Sequence, residues 1–388
     1  MPERLELPRQ RRGVALSLSG GGFRAALFHL GGLRRLNELG ILSQLDVISS
    51  VSGGSIIAAH LADRIRSWPP PGAVLADWEG CVAVPFRAFT RRNLRTGPLL
   101  QRVLPWNWLS PSSATEALAE RYRRRLTRLT LPELPDHPRF VFCATELAFG
   151  VNWVFEKHRV GSYQSGYLRP GPEWHLAWAV AASSCCPPFF APLPVNRQRG
   201  NLVGGAAARQ KRETAVLRLT DGGVYDNMAL EPAWKAHRIV LVSDGGATFD
   251  GQPDGNLLLR LLHYASIVDH QVRALRRRRL VSGYKTGTIG GTYWGIGGIV
   301  KEGPGYPERL VAEAIRAIRT DMDAFSEIET AVLENHGYLL AEAAIRRHAP
   351  ELVQIQAPVT VPHPSCLDEA RVREALRDSG KRRLLGRW

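Results

Sequence analysis

Ser52 stands in the run Ser50-Val51-Ser52-Gly53-Gly54, between the apolar stretch Asp46-Val47-Ile48-Ser49 and a segment, 55–62, that reads as the start of a helix. A serine on a sharp strand-to-helix turn projects its hydroxyl from the edge of a sheet, as in a nucleophile elbow. Such a turn draws its flanking residues together and needs small ones two positions away. Ser50 and Gly54 meet that need, with Ser50 where glycine is usual. A serine hydroxyl is a weak nucleophile and requires a base. Eleven histidines are present, and His263 and His270 follow Asp221 and Asp244 in a triad-like order. Both fall in helical patterns, however, and not in loops directly after strands. The alternative is an aspartate acting as the base itself. A free aspartate has a pKa of about 4, too low for the task, and burial would raise it. Asp221-Gly222-Gly223 and Asp244-Gly245-Gly246 each follow a strand-like run, so both carboxylates are candidates.

Gly20-Gly21-Gly22 precedes the serine and allows two readings. Gly20, Gly22 and Ala25 fit the dinucleotide fingerprint G-x-G-x-x-A after a strand. That fold needs an acid at the end of the second strand to hold a ribose, whereas here Asp46 begins that strand and serines end it. The other reading is an oxyanion hole: glycine amides at the start of a helix would stabilise charge developing on an ester oxygen, with Arg24 adding a positive charge beside them. The misplaced acid favours the oxyanion reading.

The elements that must position these groups follow from periodicity. Val14, Leu16 and Leu18 alternate with small residues and predict a buried strand. Leu27, Leu30, Leu36 and Leu39 predict a helix from Phe23, with Gly40 as its stop. Further strands are expected at 140–145, 152–155, 216–220 and 239–242, and helices at 115–129, 257–279 and, two or three of them, within 308–348. No Asp, Glu, Lys or Arg occurs in 174–196, a span long enough to cross a bilayer. Pro187, Pro188, Pro192 and Pro194 would break such a helix, so a helix over 174–182 followed by an apolar loop is expected. Pro105-Trp106-Asn107-Trp108-Leu109 reads as aromatic packing under a loop, or alternatively as a lid or membrane-touching surface. The stretch 197–214 reads as a surface loop.

The chain has 388 residues, enough for one large α/β domain or two smaller ones, and is 44% hydrophobic. Its 51 Lys+Arg against 36 Asp+Glu leave a formal charge of +15, which suits anionic partners or simply reflects an arginine-rich composition. The run 121–125 contains one tyrosine among arginines, a poor nucleic-acid signature, and no nucleic acid is expected as a partner. Five cysteines show no metal-ligand spacing and no disulfide framework, which fits a reducing compartment. The first twelve residues are charged and lack the apolar run of a signal peptide. With no transmembrane helix expected either, a cytoplasmic protein is anticipated.

Four stretches taken together, SGGGFRA, SVSGGS, AASSCCPPFFAPLPV and TDGGVYDNMALEP, resemble the patatin-like phospholipases. The resemblance covers about 13–250. It implies a three-layer α/β/α domain with a mostly parallel central sheet. It implies Ser52 as nucleophile in an elbow with Ser50, Gly53 and Gly54, and Asp221 as base of a Ser-Asp dyad in a loop with Gly222 and Gly223. Gly20, Gly21, Gly22 and Arg24 would line the oxyanion hole. The implied activity is hydrolysis of acyl esters of phospholipids, lysophospholipids or related lipids through an acyl-enzyme. No cofactor or metal is implied. Residues 73–135 would hold a lid or insertion, and 251–388 a mainly helical part packed on the core. Peripheral contact with anionic membranes would follow from the charge. The alternative function is a catalytically silent module of the same fold that binds a membrane or a protein.

Overall fold

The computed structural model describes residues 11–101, 112–196, 202–206, 216–246, 257–377 and 379. The tryptophan-bearing stretch 105–109 lies outside them, as does all of 197–214 except 202–206. Among the described residues ten strands form one sheet: β1 (Val14–Leu18), β2 (Leu45–Val51), β3 (Arg139–Glu146), β4 (Val151–Phe155), β5 (Val160–Ser162), β6 (Gly166–Leu168), β7 (Leu193–Asn196), β8 (Val216–Asp221), β9 (Ile239–Asp244) and β10 (Gly290–Gly295). The main path runs β10-β9-β1-β2-β3-β4-β5-β6, with β8 on β3 and β7 on β8.

The five strands from β10 to β3 are parallel, as expected of the central sheet. Beyond β3 every pairing is antiparallel. The reason is chain length: β3 to β6 are joined by short turns, and a parallel pairing needs a crossover of about a dozen residues. The apolar 174–196 segment divides into a helix, Leu176–Ser184, a proline loop, and β7, so its end is a strand and not the loop its composition predicts.

The sheet has helices on both faces. Leu16 and Leu18 point into one core with α1 (Gly22–Glu38), α2 (Gly53–Arg64) and the helix Glu327–His348. Ala15 and Val240 point into a second core with Leu230, Trp234 and Leu280, the last on the helix Leu257–Lys285. Parallel strands covered on both faces are apolar throughout, which is why β1 and β9 are fully buried. α1 and the helix Glu327–His348 cross backbone to backbone: a Cβ on Gly31 would overlap the Glu334 carbonyl, and one on Gly337 the Phe28 carbonyl. No helix among the described residues is long and apolar enough to cross a membrane.

Candidate active site

Strand β3 sets the serine beside the acid. Its residue Cys143 pairs with Val51, the last residue of β2, and the next residue, Ala144, pairs with Asp221, the last residue of β8. β2 therefore stops where β8 ends, and Ser52 emerges at that junction. Asp221 lies close enough to the Ser52 side chain for that hydroxyl to favour its charged form. The Asp221 Oδ1 accepts the Gly223 N–H at 2.7 Å. The Thr145 hydroxyl, donating to the Asp221 carbonyl at 2.8 Å, fixes the strand end.

Ser52 is held at φ 50° and ψ −116°. It and Ala229 are the two non-glycine residues with positive φ among those described. That conformation costs about 1–3 kcal/mol and persists only where the surroundings enforce it. They do so here through close approach on both sides. A Cβ on Gly54 would overlap the Leu18 carbonyl, and one on Gly53 the Gly22 carbonyl. Ser50 is buried but polar in its contacts: its hydroxyl donates to the Val141 carbonyl at 3.3 Å and accepts from Ser55 at 3.1 Å. Ser183 completes the brace. Its Oγ accepts the Ser52 N–H at 3.0 Å and donates to the Cys143 carbonyl at 2.6 Å. Its own carbonyl accepts the Gly222 N–H at 3.3 Å.

Burial drives Asp221 up to a pKa of about 7. The Gly223 amide and the Ser52 hydroxyl pull it down, and the Asp269 carboxylate on the helix Leu257–Lys285 adds a smaller upward push. The second candidate carboxylate is in another situation. Asp244 ends β9, on the far side of β1 from β2. It accepts from the Gly246 N–H at 3.0 Å and the Tyr293 hydroxyl at 2.8 Å, and pairs with Arg273 at 3.3 Å. Burial opposes its charge, but Arg273 and these donors outweigh burial and hold it below its ordinary value. His263 and His270 lie on the helix Leu257–Lys285, and neither is among the partners of Asp221.

The glycine loop leaves β1 and meets the serine turn. Gly20 faces Ser52 itself, since a Cβ there would sit 3.1 Å from that of Ser52. Its N–H donates to the Asn227 carbonyl at 2.9 Å, so of the three loop glycines Gly20 supplies space and no free donor. The N–H groups of Gly21, Gly22 and Gly53 have no hydrogen-bond partner among the described residues. Gly22 begins α1 and Gly53 begins α2, so the positive ends of two helix dipoles converge beside Ser52. Arg24 differs from its sequence expectation. Its guanidinium is buried and donates to the carbonyls of Gly245 at 3.2 Å, Arg316 at 3.4 Å and Ile318 at 2.8 Å. Its contacts tie the start of α1 to the β9 turn, because buried carbonyls without donors are costly and an arginine fork satisfies several at once.

Two contributors lie in the motif stretches without an assigned role there. Ser183 lies in an apolar run where a hydroxyl reads as incidental. Asn227 follows the aspartate loop, and its Oδ1 lies against both Gly20 and Gly223, while its Nδ2 lies against Gly246. It links three turns that are distant in sequence. Asp226 beside it accepts from the amides of Met228, Leu230 and Glu231, and so folds the turn that presents Asn227.

The description "patatin-like phospholipase" is that of the family whose model matches residues 16–234. Among solved structures, human GIVD cytosolic phospholipase A2 is similar at 14% identity over 61% of this chain and 46% of that one, with a TM-score of 0.42. The human enzyme in complex with methyl gamma-linolenyl fluorophosphonate gives 16% identity, 61% and 40% coverage and a TM-score of 0.40. VipD from Legionella pneumophila gives 14% identity, 88% and 67% coverage and a TM-score of 0.37. The chain spans less than half the length of the human structures. No curated protein matches it.

Proposed function

The chain belongs to the patatin-like phospholipase family, and from this we propose that it is a serine acyl hydrolase acting on phospholipids, lysophospholipids or related acyl esters. The observation that carries the reading is Ser52 set by β3 beside a buried carboxylate, Asp221, whose pKa is about 7. Such a carboxylate is half ionised at neutral pH and can take and return a proton. Asp221 accepts the Ser52 proton as Oγ attacks the ester carbonyl. The carbonyl oxygen becomes an oxyanion beside the unpartnered amides of Gly21, Gly22 and Gly53. Asp221 then delivers the proton to the departing alcohol oxygen, leaving Ser52 acylated. A water gives its proton to Asp221 and its oxygen to the acyl carbon, and the proton returns to Ser52 as the fatty acid leaves.

Exposed apolar side chains support contact with a lipid surface. Val224 follows the aspartate loop, Leu147 and Phe149 lie in the turn after β3, and Phe189 lies in the proline loop after Ser183. With the formal charge of +15 they suit peripheral binding to anionic membranes. Vesicle binding should weaken as salt rises, and binding indifferent to salt would count against the electrostatic part. The free cysteines 81, 143, 185, 186 and 366 accord with a reducing, cytoplasmic location.

The test is a fluorophosphonate probe, with the adduct located by mass spectrometry in wild type, Ser52→Ala and Asp221→Asn. The adduct should fall on Ser52, vanish in the first variant and form at least about a hundredfold more slowly in the second. No adduct in wild type, with or without anionic vesicles, would overturn the hydrolase and leave the silent binding module.

A further inference from the structure

A groove of about 1220 Å³ opens on the far side of β1 from Ser52, over the ends of β9 and β10. Its walls are the helix Leu257–Lys285, the loop after β10 and the last turns of the helix Glu327–His348. Two arginines in it are neutralised, Arg273 by Asp244 and Arg346 by Glu342. Four further cations, Arg277, Lys301, Arg316 and Arg347, have no carboxylate within ion-pair distance among the described residues. Glu302 is the one lining acid left to oppose them. We propose that this groove is a binding site for a phosphate-bearing anion, separate from the acyl-ester site.

The charge balance selects the ligand class. Four like charges on four different segments repel one another, and a bound anion relieves that repulsion. A single carboxylate would leave most of the excess. A phosphomonoester or pyrophosphate carries more charge, and its oxygens match the donor fork of an arginine. The volume, above the roughly 300–1,000 Å³ of ordinary ligand pockets, leaves room for a substituted phosphate. The aromatic residues in the lining are Tyr293, whose hydroxyl is bound to Asp244, and Trp294, which is buried. The cations outnumber these two rings, so the phosphate itself is the group the lining recognises. The groove also touches the catalytic loops. Arg316 lines it, and the Arg316 carbonyl holds Arg24 at the start of α1.

The same chemistry has two sources, a soluble phosphate ester or the headgroup of an acidic lipid. Both are tested in a Ser52→Ala background, so turnover plays no part. Inorganic pyrophosphate is titrated by calorimetry, and phosphatidylcholine vesicles with and without phosphatidic acid are tested by co-sedimentation. The groove variant is Lys301→Gln/Arg316→Gln/Arg347→Gln, and its charge-matched control is Arg66→Gln/Arg92→Gln/Arg128→Gln, three exposed arginines on other elements. The expected result is binding that falls at least about tenfold in the groove variant and less than about twofold in the control. Pyrophosphate binding with that pattern assigns a soluble ester. Phosphatidic acid binding alone with that pattern assigns a headgroup. Binding of neither probe, or equal losses in both variants, overturns the site. If the triple variant fails to fold, Arg347→Gln, at an exposed position, decides alone, with a loss of about threefold required.

Discussion

Asp221 is uncharged in the folded protein over a pH range where it would be ionised in the unfolded chain, because burial raises its pKa to about 7. Two consequences follow from that one displacement. As a base it works only when ionised, so labelling of Ser52 by a fluorophosphonate should rise with pH, roughly tenfold per unit below pH 7, and level off above it. The stability effect has the opposite sign. The folded state binds the proton more tightly than the unfolded state does, so Asp221 contributes stability that is fully present below about pH 4 and lost as pH rises through about 7. Asp221→Asn cannot lose that contribution. Its melting temperature should therefore climb relative to wild type between pH 4 and pH 8. A difference that stays flat across this range would show that Asp221 is not perturbed.

α1 links the site to the far side of the core. Its first turn carries the glycine loop, and its middle meets the helix Glu327–His348 at Gly31 and Gly337, with no room for a side chain. Because both close contacts are with backbone carbonyls, no rotamer change can relieve an added methyl. Gly31→Ala or Gly337→Ala should each cost about 1–3 kcal/mol or more in urea unfolding. Each should also slow Ser52 labelling in the molecules that remain folded, since displacing α1 carries Gly22 away from Gly53. Unchanged labelling alongside lowered stability would separate the crossing from the site.

The part of the chain after 250 completes the same sheet and core as the part before it. β10 covers the edge of β9, and the helix Glu327–His348 covers the outer face of α1. A chain ending at 250 would leave β9 as an unpaired edge and expose the apolar side of α1. We expect that fragment to aggregate on size-exclusion chromatography and to label poorly at Ser52. A soluble, monomeric and labelled fragment would instead make 13–250 an autonomous domain.

The sequence by itself determined the turn at Ser52, the glycine loop, and strands β1, β2, β3, β4, β8 and β9. β1 and β9, buried on both faces, are mainly apolar, β8 alternates buried leucines with an exposed Arg218, and a turn against a neighbouring backbone must be glycine, so all are written locally. Strands β5, β6, β7 and β10 were not legible. They are short and contain Gly161, Gly166, Pro194, Gly290 and Gly291, and they are strands because a neighbour supplies backbone partners. The choice between two Asp-Gly-Gly turns was likewise tertiary. Asp221 and Asp244 sit in the same local string, but β8 lies against β3 at the end of β2 while β9 lies beyond β1. That placement offers Asp221 the Ser52 hydroxyl and gives Asp244 Arg273 and Tyr293, 29 and 49 residues away in sequence. Arg24 shows the same limit. Its charge is local, but the carbonyls that claim it include those of Arg316 and Ile318, brought near only by the folded chain. Partners so distant leave no mark on the neighbouring residues, and only the fold decides which groups share a dry space.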